Sequence, residues 1–292
     1  MFVTFFAGSH TVSAQNSGAD SSGNSGQTYA YLPCGGAFPS PTDIREWTLR
    51  LGGAAGYGRF RDMGTAPVSF GGPALQTVVG VWHDRLRWKF HLDMTTTLGY
   101  YEDALKPKFN FSTFDISNSV RLKVYRRIFA HILSQEWVGV GFSNFLDITV
   151  NQNFENAAVG ISDFLGPEIY FKGVQPIGFS WWSIYCEIGL MPVAAVLRPG
   201  YAYIDNYTAT QPVLDAVFSD YQWNAKFMAS ISTEIGFRYW LENNNKLEFA
   251  YRWEFHSSGD SGAWRYDHAT HMLQCNFMFN LKRNTIYEKN QN

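Results

Sequence analysis

Residues 253–262 read WEFHSSGDSG, and three of them could do chemistry together. Glu254, His256 and Ser258 stand two apart, so on an extended strand all three project from one face. An imidazole beside a hydroxyl can take its proton and make it a nucleophile. An imidazole beside a carboxylate can activate water. The plainer alternative is a histidine at a strand end paired with Glu254 or Asp260, a cluster that also arises by chance at this composition.

Other chemistry is weaker. His268 and His271 lie near Asp267, but a spacing of three puts the two rings on opposite faces of a strand. No metal site and no cofactor is therefore expected. HExxH, GxSxG and Gly-rich phosphate loops are absent. Cys34, Cys186 and Cys275 show no CxxC spacing, and their odd number makes no disulfide framework. Cys34 follows Tyr31-Leu32-Pro33 without the apolar run of a lipid-attachment site.

The elements that carry these residues are strands. In LRWKFHLDMTTTLGYY (86–101) Leu86, Trp88, Phe90, Leu92, Met94, Leu98 and Tyr100 alternate with Arg87, Lys89, His91, Asp93, Thr95 and Thr97. Ten segments alternate this way, the first near Trp47–Phe60 and the last near Leu273–Leu281. The fifth (129–142) and sixth (164–174) are the least regular. Asp84-Arg85, 126–128, 175–178 and 242–245 read as short turns; 61–73, 101–113, 143–163, 191–221 and 257–267 read as long loops. Short turns at one end and long loops at the other are the signature of a membrane barrel. A soluble β-sandwich with an aromatic core is the competing fold, but nothing would keep its long loops at one end. About ten strands are expected; twelve would follow if 193–197 and 200–204 formed extra hairpins.

Bulk composition agrees. The 292 residues include 10 Trp, 16 Tyr and 24 Phe, a 17 % aromatic content that two interfacial girdles would use. No apolar run reaches the ~18 residues of a membrane helix. The net charge of −2 and the lack of a basic cluster give nucleic acid no electrostatic footing. Residues 1–14 read as an export signal whose basic start is missing, and small residues precede Gln15. Residues 15–43 have the composition of a Gly/Ser/Asn-rich tether, 44–283 form the barrel and 284–292 are a polar tail.

In a membrane barrel the apolar face meets lipid and the charged face lines the lumen. The lumenal set then includes Arg87, Lys89, Asp93, Arg121, Lys123, Glu187, Lys226, Glu234, Arg238, Glu248 and Arg252. Charges of both signs in a narrow barrel can pair across it and fill it. They can also line a narrow passage for small solutes. A wide general porin is not expected, since open aqueous channels take about sixteen strands.

The whole pattern resembles the outer-membrane β-barrels of Gram-negative bacteria. That resemblance implies an outer-membrane location, contact with lipid, insertion by the barrel-assembly machinery and outer loops free to bind an envelope protein. The Phe-rich last strand is similar to the closing strand that this machinery reads, although RNTIYEKNQN follows it. Two local resemblances imply hydrolysis. His256 and Ser258 resemble the His-x-Ser pair of lipid A deacylases and outer-membrane phospholipases, with Gly259 where that motif has Asn. Glu254-Phe255-His256 resembles the acidic-x-His pair of omptins, ten-stranded proteases, with Glu in place of Asp and no evident facing Asp couple. The first family works on the lipid side, whereas the register of strand nine turns His256 inward. The expected role is structural or narrow-pore passage, with an outer-membrane hydrolase as the alternative.

Overall fold

The computed structural model describes residues 46–281, except 64–67, 86, 104–111, 129–131, 152–157, 178–180, 200–220, 242, 244 and 260–264. The expected signal, tether and tail fall outside the described residues. Ten strands follow: β1 (Glu46–Asp62), β2 (Ser69–Asp84), β3 (Trp88–Asp103), β4 (Ser112–Ile128), β5 (Gln135–Asn151), β6 (Ala158–Pro176), β7 (Trp182–Pro199), β8 (Tyr221–Trp240), β9 (Lys246–Ser257) and β10 (Tyr266–Asn280). Each pairs antiparallel with its chain neighbour, and β1 closes on β10. Closure gives every strand two partners, the condition for a sheet in lipid.

The strand edges differ from the expectation. Segment 143–163 is mostly strand, because β5 runs on to Asn151 and β6 begins at Ala158. Segment 61–73 narrows to 63–68. Polar residues on the outer face broke the apolar alternation there; Asn144 Nδ2, for example, donates to Asp163 Oδ1 at 2.5 Å. The connections expected at 101–113 and 257–267 narrow to 104–111 and 258–265, that at 191–221 to 200–220, and the short turn expected at 126–128 lies at 129–134, because β4 runs on to Ile128. Residues 193–197 are not a separate hairpin. They continue β7 past a bulge between Met191 and Val193, which shifts the alternation by one. The other candidate hairpin, 200–204, lies outside the described residues.

Register fixes the barrel's width. Stepping from Glu46 across each ladder in turn, through Asp84, Lys89, Tyr125, Gly139, Tyr170, Gly189, Ser232, Glu254 and Thr270, returns to β1 at Gly58, twelve residues on. A stagger of twelve over ten strands tilts them by about 40°. The faces are those of a membrane barrel. On β3, Trp88, Phe90, Leu92, Met94, Leu98 and Tyr100 are 39–50 % exposed, while His91, Asp93, Thr95 and Thr97 between them are 1–4 % exposed. At that tilt, Trp88 to Tyr100 spans ~30 Å, about the hydrocarbon thickness of a bilayer. Trp47 stacks on His83 and Trp182 packs on Tyr239 with ring centroids at 4.4 and 4.8 Å, forming part of a girdle at the end that carries the short turns.

The turn-end half of the lumen is an ion-pair network. Arg50 Nη2 (β1) meets Glu248 Oε1 (β9) at 2.5 Å and Glu234 Oε1 (β8) at 3.0 Å. Arg238 holds the other oxygen of Glu248 at 2.7 Å. Lys123 (β4) reaches across to Glu187 (β7) at 2.6 Å and to Asp93 at 3.2 Å, and Lys172 adds to Glu187 at 2.8 Å. Arg252 pairs with Glu254 at 2.5 Å. Arg121 on β4 pairs with the same Glu254, on the opposite wall. These groups are all 9 % exposed or less. Desolvated charges hold this way only when each has a partner. Replacing Glu248 by Ala takes the carboxylate from Arg238 and leaves Arg50 with Glu234 and Asp93. The expected loss is about 3–5 kcal/mol, measured as a lowered urea midpoint of the folded barrel in detergent, with Glu248→Gln losing less.

Candidate functional site

Above the ion-pair layer the lumen becomes aromatic. Phe60, Phe70, Tyr101, Phe145, Phe164 and Tyr266 form one buried cluster, each 3 % exposed or less. Glycines make room for it. A Cβ on Gly99 would lie 2.3 Å from the Tyr101 ring, and one on Gly58 would lie 2.1 Å from its hydroxyl. The ring therefore reaches from its own strand β3 past β2 towards β1. From there the Tyr101 hydroxyl donates to Asp115 Oδ2 at 3.2 Å.

Glu254, His256 and Ser258 share the lumenal face, as their spacing requires, and are 4, 0 and 0 % exposed. Contact between them does not follow. Glu254 is taken by Arg121 and Arg252. The His256 ring stacks on Phe145 at 3.7 Å and 7°, and neither of its nitrogens has a hydrogen-bond partner. Ser258 Oγ accepts the Tyr266 N–H at 3.1 Å. The imidazole is thus neither oriented by the carboxylate nor bonded to the hydroxyl. With Trp253 and Phe255 on the outward face, the lipid-side register of the deacylase and phospholipase type is absent.

The remaining lumenal expectations sort by position. Asp93, Arg121, Lys123, Glu187, Glu234, Arg238, Glu248 and Arg252 all belong to the network above. Lys89 sits near the turn end, 3.1 Å from Asp84 and 4.5 Å above the Trp137 ring. Lys226 is half-buried, opposite buried Ala194 on the inner face. Arg87 is a correction: it is exposed in the connection before β3, one residue short of the strand, so alternation does not carry it inward.

Sequence spacing missed a compact group of two carboxyl side chains and one imidazole. Asp115 (β4), Asp147 (β5) and His268 (β10) have ligand atoms all within 4.8 Å of one another. His268 Nε2 is 3.5 Å from Asp115 Oδ2, and the Tyr266 hydroxyl donates to Asp147 Oδ2 at 2.6 Å. All three residues are 0–1 % exposed. His268 is the cross-strand neighbour of His256, so the histidine that faces the two carboxyl groups has the second histidine beside it. Asp147 falls in a segment that reads as loop from its sequence, and the neighbours that spacing offers His268 are Asp267 and His271. The opposing walls that join these residues leave no spacing signal in the chain.

No family model and no curated protein matches this chain. Solved structures do. The outer membrane protease OmpT from Escherichia coli superposes with a TM-score of 0.53 at 10 % identity, over 82 % of this chain and 97 % of that one. This protein has the fold of an outer-membrane β-barrel. Neisserial surface protein A (TM-score 0.33, 9 % identity, 80 % of this chain, 96 % of that one) and the translocator domain of the autotransporter NalP from Neisseria meningitidis (0.38, 8 %, 85 %, 91 %) are also found. At 10 % identity the likeness to OmpT is one of fold alone. An outer-membrane barrel with this interior depends on the slot for Tyr101. Gly99→Val fills that slot and is expected to cost about 1–3 kcal/mol. Gly53→Ala, where the nearest atom is 3.7 Å away, leaves the unfolding midpoint unchanged.

Proposed function

We propose that this protein resides in a Gram-negative outer membrane as a barrel closed by its own side chains. Its role in this reading is that of a rigid platform presenting outer segments to an envelope protein partner. The carrying observation is that Arg121 on β4 and Glu254 on β9 pair across the full width of the lumen, both nearly inaccessible to solvent. Solute passage would require breaking that pair and the Lys123–Glu187 pair near it. The network therefore favours the structural role over the narrow-pore one. Connection 200–220 carries Tyr201, Tyr203, Tyr207 and Phe218, side chains suited to protein recognition.

Planar bilayers test this reading. The purified barrel should insert without resolved current steps. Replacing Arg121 and Glu254 together by Ser should open measurable ones. Stable steps from the unaltered protein would restore the pore.

One observation favours the hydrolytic alternative: two carboxyl groups and His268 converge in the loop-end half of the lumen, with His256 on the neighbouring strand. Under it, aromatic side chains over the site would have to move to admit a peptide. The purified protein would then cleave peptides, and His256→Ala would abolish the cleavage. The platform reading expects no turnover from either form.

A further inference from the structure

We propose that Asp115, Asp147 and His268 bind one divalent transition-metal ion of the zinc class. Three strands contribute, β4 and β5 from one wall and β10 from the other, so the ion would tie opposite sides of the barrel together. The carboxyl groups are oriented for it. Tyr101 holds Asp115 Oδ2 and Tyr266 holds Asp147 Oδ2, no other donor reaches Oδ1 of either, and the two carboxyl groups lie within hydrogen-bond reach of each other. His268 adds a second, independent sign. It is 1 % exposed, points at Asp115 across 3.5 Å, and neither ring nitrogen has a hydrogen-bond partner.

Buried polar atoms left over in this way call for an occupant. Charge points the same way. No Lys or Arg forms an ion pair with Asp115 or Asp147 among the described residues, whereas the carboxylates of the turn-end network have cationic partners. Two neighbouring carboxylates in a dry site need a cation or a shared proton. One imidazole nitrogen and two carboxylate oxygens make the mixed donor set of an open zinc site, with a fourth position left for water. Calcium and magnesium sites draw on oxygen alone, and no thiolate is present to select a softer ion. The two tyrosine hydroxyls are the outer partners that fix ligand orientation.

The test refolds the full chain from urea into detergent with zinc sulfate or with EDTA, desalts it and measures metal by mass spectrometry. The expected result is one zinc per folded chain. His268→Ala and Asp147→Asn should each lose at least about tenfold in retained metal. His271→Ala, which removes an outward histidine, should lose none. Refolding with cobalt(II) should give the strong visible bands of a four- or five-coordinate ion. Near-absent zinc in the unaltered chain would overturn the proposal and leave a proton shared between the two carboxyl groups. Unchanged zinc in His268→Ala and Asp147→Asn would overturn it as binding elsewhere. If those variants fail to fold, the cobalt spectrum of the unaltered chain decides: only the weak bands of six-coordinate cobalt would again overturn it.

Discussion

Closing ten strands with a stagger of twelve residues makes a tube narrow enough for side chains on opposite walls to touch. Every other feature of the interior answers to that distance. Arg121 reaches Glu254, Lys123 reaches Glu187, and the Tyr266 hydroxyl reaches Asp147. A wider barrel would leave the same residues facing water. Here they are 9 % exposed or less, so each charge has to find a partner or lose its charge. The lumen is accordingly a polar core with apolar side chains on the outer face, the inverse of a soluble protein's interior.

This core has two layers with different chemistry. In the turn-end layer six cations (Arg50, Arg121, Lys123, Lys172, Arg238 and Arg252) interlock with six carboxylates (Asp93, Glu168, Glu187, Glu234, Glu248 and Glu254). Sharing is what makes the set cohere: Glu248 serves two arginines and Glu187 two lysines. In the loop-end layer aromatic rings take over; Asp62 pairs there with Arg198, which packs on the Tyr266 ring, but no Lys or Arg forms an ion pair with Asp115 or Asp147 among the described residues. Asp115 and Asp147 are bonded instead to tyrosine hydroxyls beside His268. The first layer explains closure of the lumen. The second holds the chemistry that invites an ion.

Much of this was legible in period-two alternation. The faces of β3, β4, β9 and β10 follow directly from it, because lipid selects apolar residues on one side with little exception. Strand ends were less legible. Asn144 and Asp163 bond to each other on the outer surface, so polar residues there looked like loop, and Asp147 was hidden with them. The β7 bulge changed the phase of the alternation and made Val193–Leu197 look like a separate element. Arg87 obeyed the alternation but not the boundary. Glu254, His256 and Ser258 were placed on the right face, yet their contacts came from β4, β5 and β10. Face is local information; contact across a lumen depends on shear, which no single strand carries.

A closed lumen requires that opposite walls of the barrel be energetically joined through it. A double-mutant cycle on Arg121→Ala and Glu254→Ala tests it most directly, using urea unfolding of the folded barrel in detergent. Residues on strands five apart that act independently add within about 0.5 kcal/mol. The account predicts a coupling of more than about 1 kcal/mol, as expected of a buried pair in contact. Additive single effects would mean that the walls do not meet, and the closed lumen would have to be abandoned.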